Sequence, residues 1–436
     1  MILAKKDVVD QISEQLETST TVNPLLSALR ENDKKNLFRT NVTTAFIKTG
    51  FILFDYYFGS VVNIHDELGR IVKQEPRVGQ AAGTFNLLVG KSGSSKTTLA
   101  IQIAGNIIRQ FQNANVIHYD CEQRMDLSRI EIVSQLPSNY FTGDTPKYIL
   151  KGGAVGLDVI QESIVKLYVN KVKMKKELMV DSGVKDEFGK PVMILPPTVI
   201  IIDSITTVMS ETFSPDNTRD AADAEKMRGN TEGARDAKTL KGFFKDILPL
   251  CKEGNIILYG INHLNDNMSM NAFIPAAKQQ NFLKQDESIP GGKTMIFYPF
   301  NIAKMIAKPS DDFTEESDGF SGHMVMIEPI KSSSNQSGNN SKGISFQMVF
   351  SYKYGFDPLR TLIIYAKDRG LLEGNKTRYK FKDDPSFTFS FKEINKEKKE
   401  KPIWENIKKF VIPTLREHLS FIEPEDILFD ERSMDY

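Results

Sequence analysis

Residues 85 to 97 run Phe-Asn-Leu-Leu-Val-Gly-Lys-Ser-Gly-Ser-Ser-Lys-Thr, an apolar strand that breaks into a small-residue loop and leads into the helical run Thr98 to Gln112. Gly90, Ser92, Gly93, Ser94 and Ser95 are small enough for consecutive backbone N–H groups to wrap a polyphosphate at a helix N-terminus, where the helix dipole favours negative charge. The segment therefore predicts a phosphate-binding loop. Lys96 supplies a point charge for the outer phosphates, Thr97 a hydroxyl for the magnesium that travels with them, and Thr98 completes the binding set at the start of the helix. The consensus glycine before the lysine is Ser95 here. A Gly/Ser turn in front of any helix reads the same locally, so the surrounding chain has to decide.

That surrounding chain alternates β and α patterns. Phe85 to Val89, Val116 to Asp120, Val199 to Asp203, Ile256 to Ile261, Ile302 to Ala307, Met324 to Ile330 and Ile344 to Phe350 read as strands. Helical stretches separate them, notably Ala234 to Cys251, where Leu240, Phe243, Phe244, Ile247 and Cys251 recur at spacings of three and four. Continuous apolar strands separated by helices predict an α/β fold, a mostly parallel sheet with helices on both faces. Lys171 to Pro197 carries a turn signal between apolar runs and reads as a hairpin insertion. Beyond Asp357 the expectation is a helix over Leu359 to Leu372, short strands over Tyr379 to Phe391, a mixed-charge linker over Glu393 to Lys401 and an amphipathic helix over Trp404 to Leu419.

The candidate strands end in chemistry. Val199 to Ile202 run into Asp203, and an acid at the carboxyl end of a buried parallel strand is where magnesium is held beside a phosphate loop. Val116 to Cys121 lead to Glu122, placed to orient or deprotonate a water that attacks a terminal phosphate. Ile256 to Ile261 end in Asn262-His263, and His263 is the candidate sensor of that phosphate. The irregular stretch of 27 residues that follows, Leu264 to Pro290, is long for a compact domain unless it has a function of its own.

The whole chain of 436 residues holds 56 Lys plus Arg against 56 Asp plus Glu, so a polyanionic partner must be met by local patches. The two cysteines, Cys121 and Cys251, exclude a disulfide scaffold and a cysteine-based zinc site and suit a reducing compartment. Met1 to Asp10 carries no secretory pattern, and no run approaches the roughly 20 apolar residues of a membrane span. The expectation is a cytoplasmic protein without membrane contact. Val8, Val9, Ile12 and Leu16 give the front segment, residues 1–42, the stripe of a short helix suited to docking on a neighbouring subunit or on its own core. Glu423 to Tyr436 holds six acids against one arginine and forms an acidic tail.

Taken in order, these motifs resemble the RecA family of homologous recombinases, and within it the phage branch of UvsX-type strand-exchange proteins. The match spans roughly Thr49 to Trp404. It comprises Thr49-Gly50 with Phe54-Asp55 and Phe58-Gly59, the loop at 90–97, Asp120-Cys121-Glu122, Ile202-Asp203-Ser204, Ala237-Lys238-Thr239-Leu240-Lys241 through Ile261-Asn262-His263, then Gly291-Gly292-Lys293 and Tyr354-Gly355-Phe356-Asp357-Pro358. The resemblance implies a RecA-like P-loop ATPase core over 43–350, an N-terminal oligomerisation segment, and a small C-terminal α+β domain over 351–436. It implies a DNA-dependent ATPase that uses ATP and Mg2+, forms helical filaments on single-stranded DNA, and exchanges strands with homologous duplex DNA in recombination and repair. Partners would include single-strand-binding and mediator proteins, and the phage branch implies the inside of an infected bacterial cell.

Carried over residue by residue, Lys96 and Thr97 hold phosphates and magnesium, Asp203 the magnesium and Glu122 the hydrolytic water, while His263 stands at the γ-phosphate sensor. Arg129 falls near the family's adenine-stacking aromatic, where its guanidinium plane offers a substitute. Of the paired basic residues that reach a neighbour's ATP only Lys331 aligns, the second position being Ser333. Glu211 to Gly233 and Leu264 to Pro290 take the places of the two DNA-binding loops. The first offers Arg219, Lys226 and Arg228 with Met227, the second Lys278 and Lys284 with Phe273 and Phe282: cations for phosphates and apolar faces for bases. Asp216, Asp220, Asp223, Glu225 and Asp286 lie among them, and by composition alone solvated loops fit as well. Two other readings stay open: a ring-forming motor or helicase on the same core, and a weakly hydrolysing DNA-coating or mediator protein.

Overall fold

The computed structural model describes residues 44–65, 71–153, 155–186, 189–210, 232–266, 283, 287–333 and 345–419. The front segment 1–42, the candidate DNA-binding residues Arg219, Lys226, Met227, Arg228, Phe273, Lys278, Phe282 and Lys284, and the acidic tail lie outside the described residues. Residues from Ala45 onward belong to one compact unit.

Its centre is a nine-stranded sheet: β1 (Phe85–Gly90), β2 (Asn115–Asp120), β3 (Tyr148–Gly152), β4 (Thr198–Asp203), β5 (Ile256–His263), β6 (Asn301–Phe313), β7 (Gly322–Ser332), β8 (Phe346–Ser351) and β9 (Gly355–Asp357), in the spatial order 9-8-7-6-1-5-4-2-3. The six strands from β6 to β3 in that order are parallel. The remaining three add antiparallel. All the strands expected from the sequence form, with β6 running past the apolar stretch to Phe313 because β7 continues to pair with it across a register shift.

The side-chain period of two sorts each strand onto two cores. Leu88, Val199, Ile201, Ile257 and Tyr259 face one cluster, and Leu87, Val89, Ile200, Ile202 and Leu258 face the other. Full burial of each such aliphatic chain is worth about 1.5–3 kcal/mol, and that need for cover places helices on both sides. On the first face lie α1 (Lys96–Gln110), α2 (Leu127–Ser134) and α5 (Pro358–Asp368); on the second lie α3 (Leu157–Lys173) and α4 (Glu232–Gly254). The expected hairpin joins Val180–Lys185 to Pro191–Ile194.

Three expectations for the end of the chain need correction. Glu393 to Lys401 is not a linker: helix α6 occupies Glu397–Asn406, its acids Glu397 and Glu400 in the first turn where the dipole favours them. The run to Leu419 is not one α-helix either, since Ile407–Val411 is a π segment and Ile412–His418 a 3-10 segment. Ile403, Ile407, Val411 and Leu415 nevertheless keep one buried stripe through all three, which is why the apolar spacing looks helical throughout. Helix α5 stops at Asp368 rather than Leu372, and Leu372 opens a strand, Leu372–Asn375.

Helix α1 is pinned from both sides. Asn106 Nδ2 donates to the Thr49 carbonyl at 2.9 Å, and a Cβ on Gly50 would lie 2.2 Å from that Nδ2. Gln102 exchanges hydrogen bonds with the Phe356 backbone, at 3.1 and 2.8 Å. The Thr49-Gly50 and Tyr354-Gly355-Phe356 motifs therefore hold the helix that follows the small-residue loop. Thr49 donates twice to Asp55 Oδ1, through N at 2.9 Å and Oγ1 at 2.6 Å, yet burial pushes the Asp55 carboxyl up to about 7 against those bonds. A carboxyl with a raised folded-state pKa leaves the native state holding more protons than the unfolded chain, so its contribution to stability falls as pH rises from about 4 to about 7. Asp55→Asn keeps an oxygen for both Thr49 bonds and removes the charge. The variant is expected to gain at least about 1 kcal/mol over wild type at pH 8 and nothing at pH 4; denaturant titrations of both chains across that range check it, and a pH-independent difference would contradict it.

Candidate functional site

Four parallel strands bring their carboxyl ends to one edge of the sheet. Asp203 is in register with Asp120 and with Ile261, and His263 with Gly90. The small-residue loop leaves β1 here. A Cβ on Gly90 would sit 2.4 Å from the Met305 carbonyl oxygen and 2.6 Å from Ser94 Oγ, so only glycine lets the strand end lie against β6. Gly93, at φ 77°, and Ser95, at φ 64°, turn the chain through the left-handed region, and Ser95 starts α1 without a side-chain cap. The first-turn amides of a 15-residue helix are thus left to the cleft.

The Lys96 ammonium reaches back under this loop, donating to the carbonyls of Gly90 and Lys91, both at 2.9 Å, and to Ser94 Oγ at 3.3 Å. Burial pushes it down to about 8, although Asp203 and Glu122 oppose the shift. Thr97 Oγ1 donates to Asp203 Oδ2 at 2.6 Å. Burial raises Asp203 to about 6, with the Thr97 bond pulling the other way and the charges of Glu122 and Asp120 adding to the rise. A cation would relieve that crowding. Among the described residues no group of three or more His, Cys, Asp or Glu is arranged for a metal, so magnesium held by Thr97 and Asp203 would take its other oxygens from phosphate and water.

Facing Lys96 across the cleft is Glu122, with Oε1 3.2 Å from His263 Nε2 and Oε2 3.2 Å from Arg124 Nη1. Burial acts to raise the Glu122 carboxyl, but bonds from His263 and Ser204 and the charges of His263 and Arg124 outweigh it and hold the group below the ordinary range. It is therefore an ionised acceptor at neutral pH. Asn262, fully buried, accepts at Oδ1 from Thr206 Oγ1 at 2.7 Å and from the His263 amide at 2.9 Å, and donates from Nδ2 to the Pro290 carbonyl at 3.0 Å.

The result is a cleft of about 260 Å³ that gathers Ser92, Gly93, Ser95, Lys96, Thr97, Glu122, Asp203 and His263 from the predicted set. Asp120, Arg124, Met125 and Ile261 line it as well, unforeseen from the sequence. Gly90 and Ser94 form the seat of Lys96, whereas Thr98 turns toward Gly355, whose Cβ would meet Thr98 Cγ2 at 2.9 Å. Two further predicted residues, Arg129 and Lys331, also lie outside the lining. Arg129 Nη1 donates to the Lys353 carbonyl at 3.0 Å, and Lys331 Nζ donates to the carbonyls of Ile296 and Phe297 at 3.1 and 2.7 Å. Lys331 pairs with Ile302, which pairs with Leu87, a position short of the strand's carboxyl end. Asn262 and Arg124 escaped the sequence reading because their partners are remote in the chain or sit in an irregular turn; the polar residue directly before His263 is the signal that pointed to the first.

Compared with protein-family models and with curated protein sequences, the chain matches none.

Ser95 bears a steric cost of about 1–2 kcal/mol in the left-handed region that glycine does not. Ser95→Gly is accordingly expected to fold with unchanged or slightly greater stability, while Ser95→Val, whose β-branched side chain fits that region worst, is expected to melt below both. Thermal melts of the two variants check this; equal melting temperatures would contradict the assigned backbone.

Proposed function

We propose that this protein is an ATP-dependent DNA recombinase, a DNA-dependent ATPase that assembles as helical filaments on single-stranded DNA and pairs it with homologous duplex. One observation carries the ATPase part: Lys96, Thr97, Glu122, Asp203 and His263, chosen from the sequence on four separate strand ends, converge on one cleft. In this reading the amides of residues 92–97 and the Lys96 ammonium hold the phosphates, and Thr97 and Asp203 hold magnesium. Glu122 orients the attacking water and accepts its proton. His263 reports the terminal phosphate to the chain that follows it, because its amide and the loop's return point, Pro290, share the Asn262 side chain. DNA binding and filament formation rest on the ordered resemblance and on the cations and aromatics of the two loops.

ATP hydrolysis with and without single-stranded DNA at two salt concentrations tests the reading. Strong stimulation that weakens with salt is expected; turnover indifferent to DNA would sink it. Lys96→Ala is expected to abolish nucleotide binding, and unchanged ATP affinity would remove the phosphate-loop assignment. Glu122→Gln should retain ATP and lose turnover by about 10²–10⁴-fold, the usual worth of a general base.

A further inference from the structure

We propose that Arg124 is a phosphate-binding residue of this cleft, exchanging Glu122 for the terminal phosphate of a bound nucleoside triphosphate and thereby freeing Glu122 to engage water; the inference rests on the nucleotide reading above. Its first support is that the turn after β2 is built to present this side chain. Asp120 Oδ2 accepts from the Met125 amide at 2.7 Å, the Gln123 amide donates to the Asp120 carbonyl at 3.3 Å, and Gln123 takes a left-handed φ of 53°. Arg124 is thereby directed into the cleft, where it is a lining residue with its side chain 75% exposed. An arginine so exposed changes partner without breaking a packed core.

Charge supplies the second support. Among the described residues that line the cleft the fixed cations are Lys96 and Arg124, against the carboxylates Asp120, Glu122 and Asp203. A triphosphate brought into that setting adds negative charge, and Lys96 is already turned to the carbonyls of Gly90 and Lys91. Lys331, the one aligned candidate for a basic residue from a neighbouring chain, spends its ammonium on the carbonyls of Ile296 and Phe297. Among the described lining residues Arg124 is therefore the cation left to meet a terminal phosphate.

The third support is the state of Glu122. Each of its oxygens faces a cation or a donor: Oε1 lies 3.2 Å from His263 Nε2 and Oε2 3.2 Å from Arg124 Nη1, and Ser204 bonds the carboxylate as well. The guanidinium charge lowers the basicity of a carboxylate that is to accept a proton from water, so Glu122 becomes a better base when Arg124 leaves it. A phosphate offers the guanidinium fork a geometry matched for paired hydrogen bonds, so the triphosphate itself draws Arg124 away. Nucleoside diphosphate, lacking the terminal phosphate, leaves the Arg124–Glu122 pair in place.

Calorimetric titration of wild type, Arg124→Ala, Arg124→Lys and Lys96→Ala with a non-hydrolysable ATP analogue and with ADP tests this. Arg124→Ala is expected to weaken the triphosphate analogue about 10- to 100-fold, the worth of a charged hydrogen bond, and ADP by less than about threefold. Arg124→Lys is expected to recover part of the loss, since it restores the charge without the fork. Unchanged triphosphate affinity in Arg124→Ala, or equal losses for the two nucleotides, would overturn the inference. If wild type binds and only Lys96→Ala fails, the nucleotide reading stands and the Arg124 role falls; if wild type binds neither nucleotide, both fall.

Discussion

The buried ammonium of Lys96 is the point on which the rest of this site depends. A cation removed from water is tolerated only where oxygens replace the lost hydration, and here the carbonyls of Gly90 and Lys91 and the Ser94 hydroxyl do so. Those oxygens are in place because Gly90 has no side chain to meet Met305, because the loop turns through the left-handed region at Gly93 and Ser95, and because β1 lies in parallel register between β5 and β6. The carboxylates of Asp203 and Glu122 then face the same small volume, Asp203 raised by burial and Glu122 held low, against burial, by its bonds to His263 and Ser204 and by nearby positive charge. These carboxylates beside one buried cation are the setting on which the proposed binding of phosphate and metal rests.

Around that centre the polar side chains of the fold act as struts. Asn262 joins the end of β5 to Thr206, beyond β4, and to Pro290, where the chain returns from the stretch after His263. Close by, Lys304 of β6 lies 2.8 Å from Glu287 and 3.3 Å from Glu328, with the Lys304 side chain 3% exposed. Glu287 also belongs to the short ladder Glu287–Ser288 against Asn265–Asp266, so the base of the 264–290 segment is fixed to the sheet by both backbone and charge. Breaking one partner of such a pair leaves an uncompensated buried charge, which makes it a rigid connection. His263 and both ends of the 264–290 segment are thus tied to the same sheet edge.

Much of this was legible in the sequence, for definable reasons. Branched apolar runs such as Val199 to Ile202 have few ways to be buried other than as central parallel strands, and an acid at the end of such a run projects from the sheet edge. Glycines and serines before Lys96 mark a loop where backbone comes close to other backbone. What stayed hidden depends on contacts distant in the chain. Asn262 looks like any strand-end polar residue until Thr206 and Pro290 are placed beside it, and Arg124 looks like any surface cation until the Asp120 turn sets it at the cleft beside Glu122. Glu397 to Lys401 reads as a solvated charge run because its burial is carried by Ile403 and Ile407, outside that window.

Direct imaging addresses whether the proposed nucleotide cleft serves assembly on DNA: electron microscopy of the purified chain with single-stranded DNA and a non-hydrolysable ATP analogue, beside the same mixture without nucleotide. Under the proposed function, regular helical filaments that require the nucleotide are expected along the DNA. Closed rings, or a DNA coating indifferent to nucleotide, would contradict it.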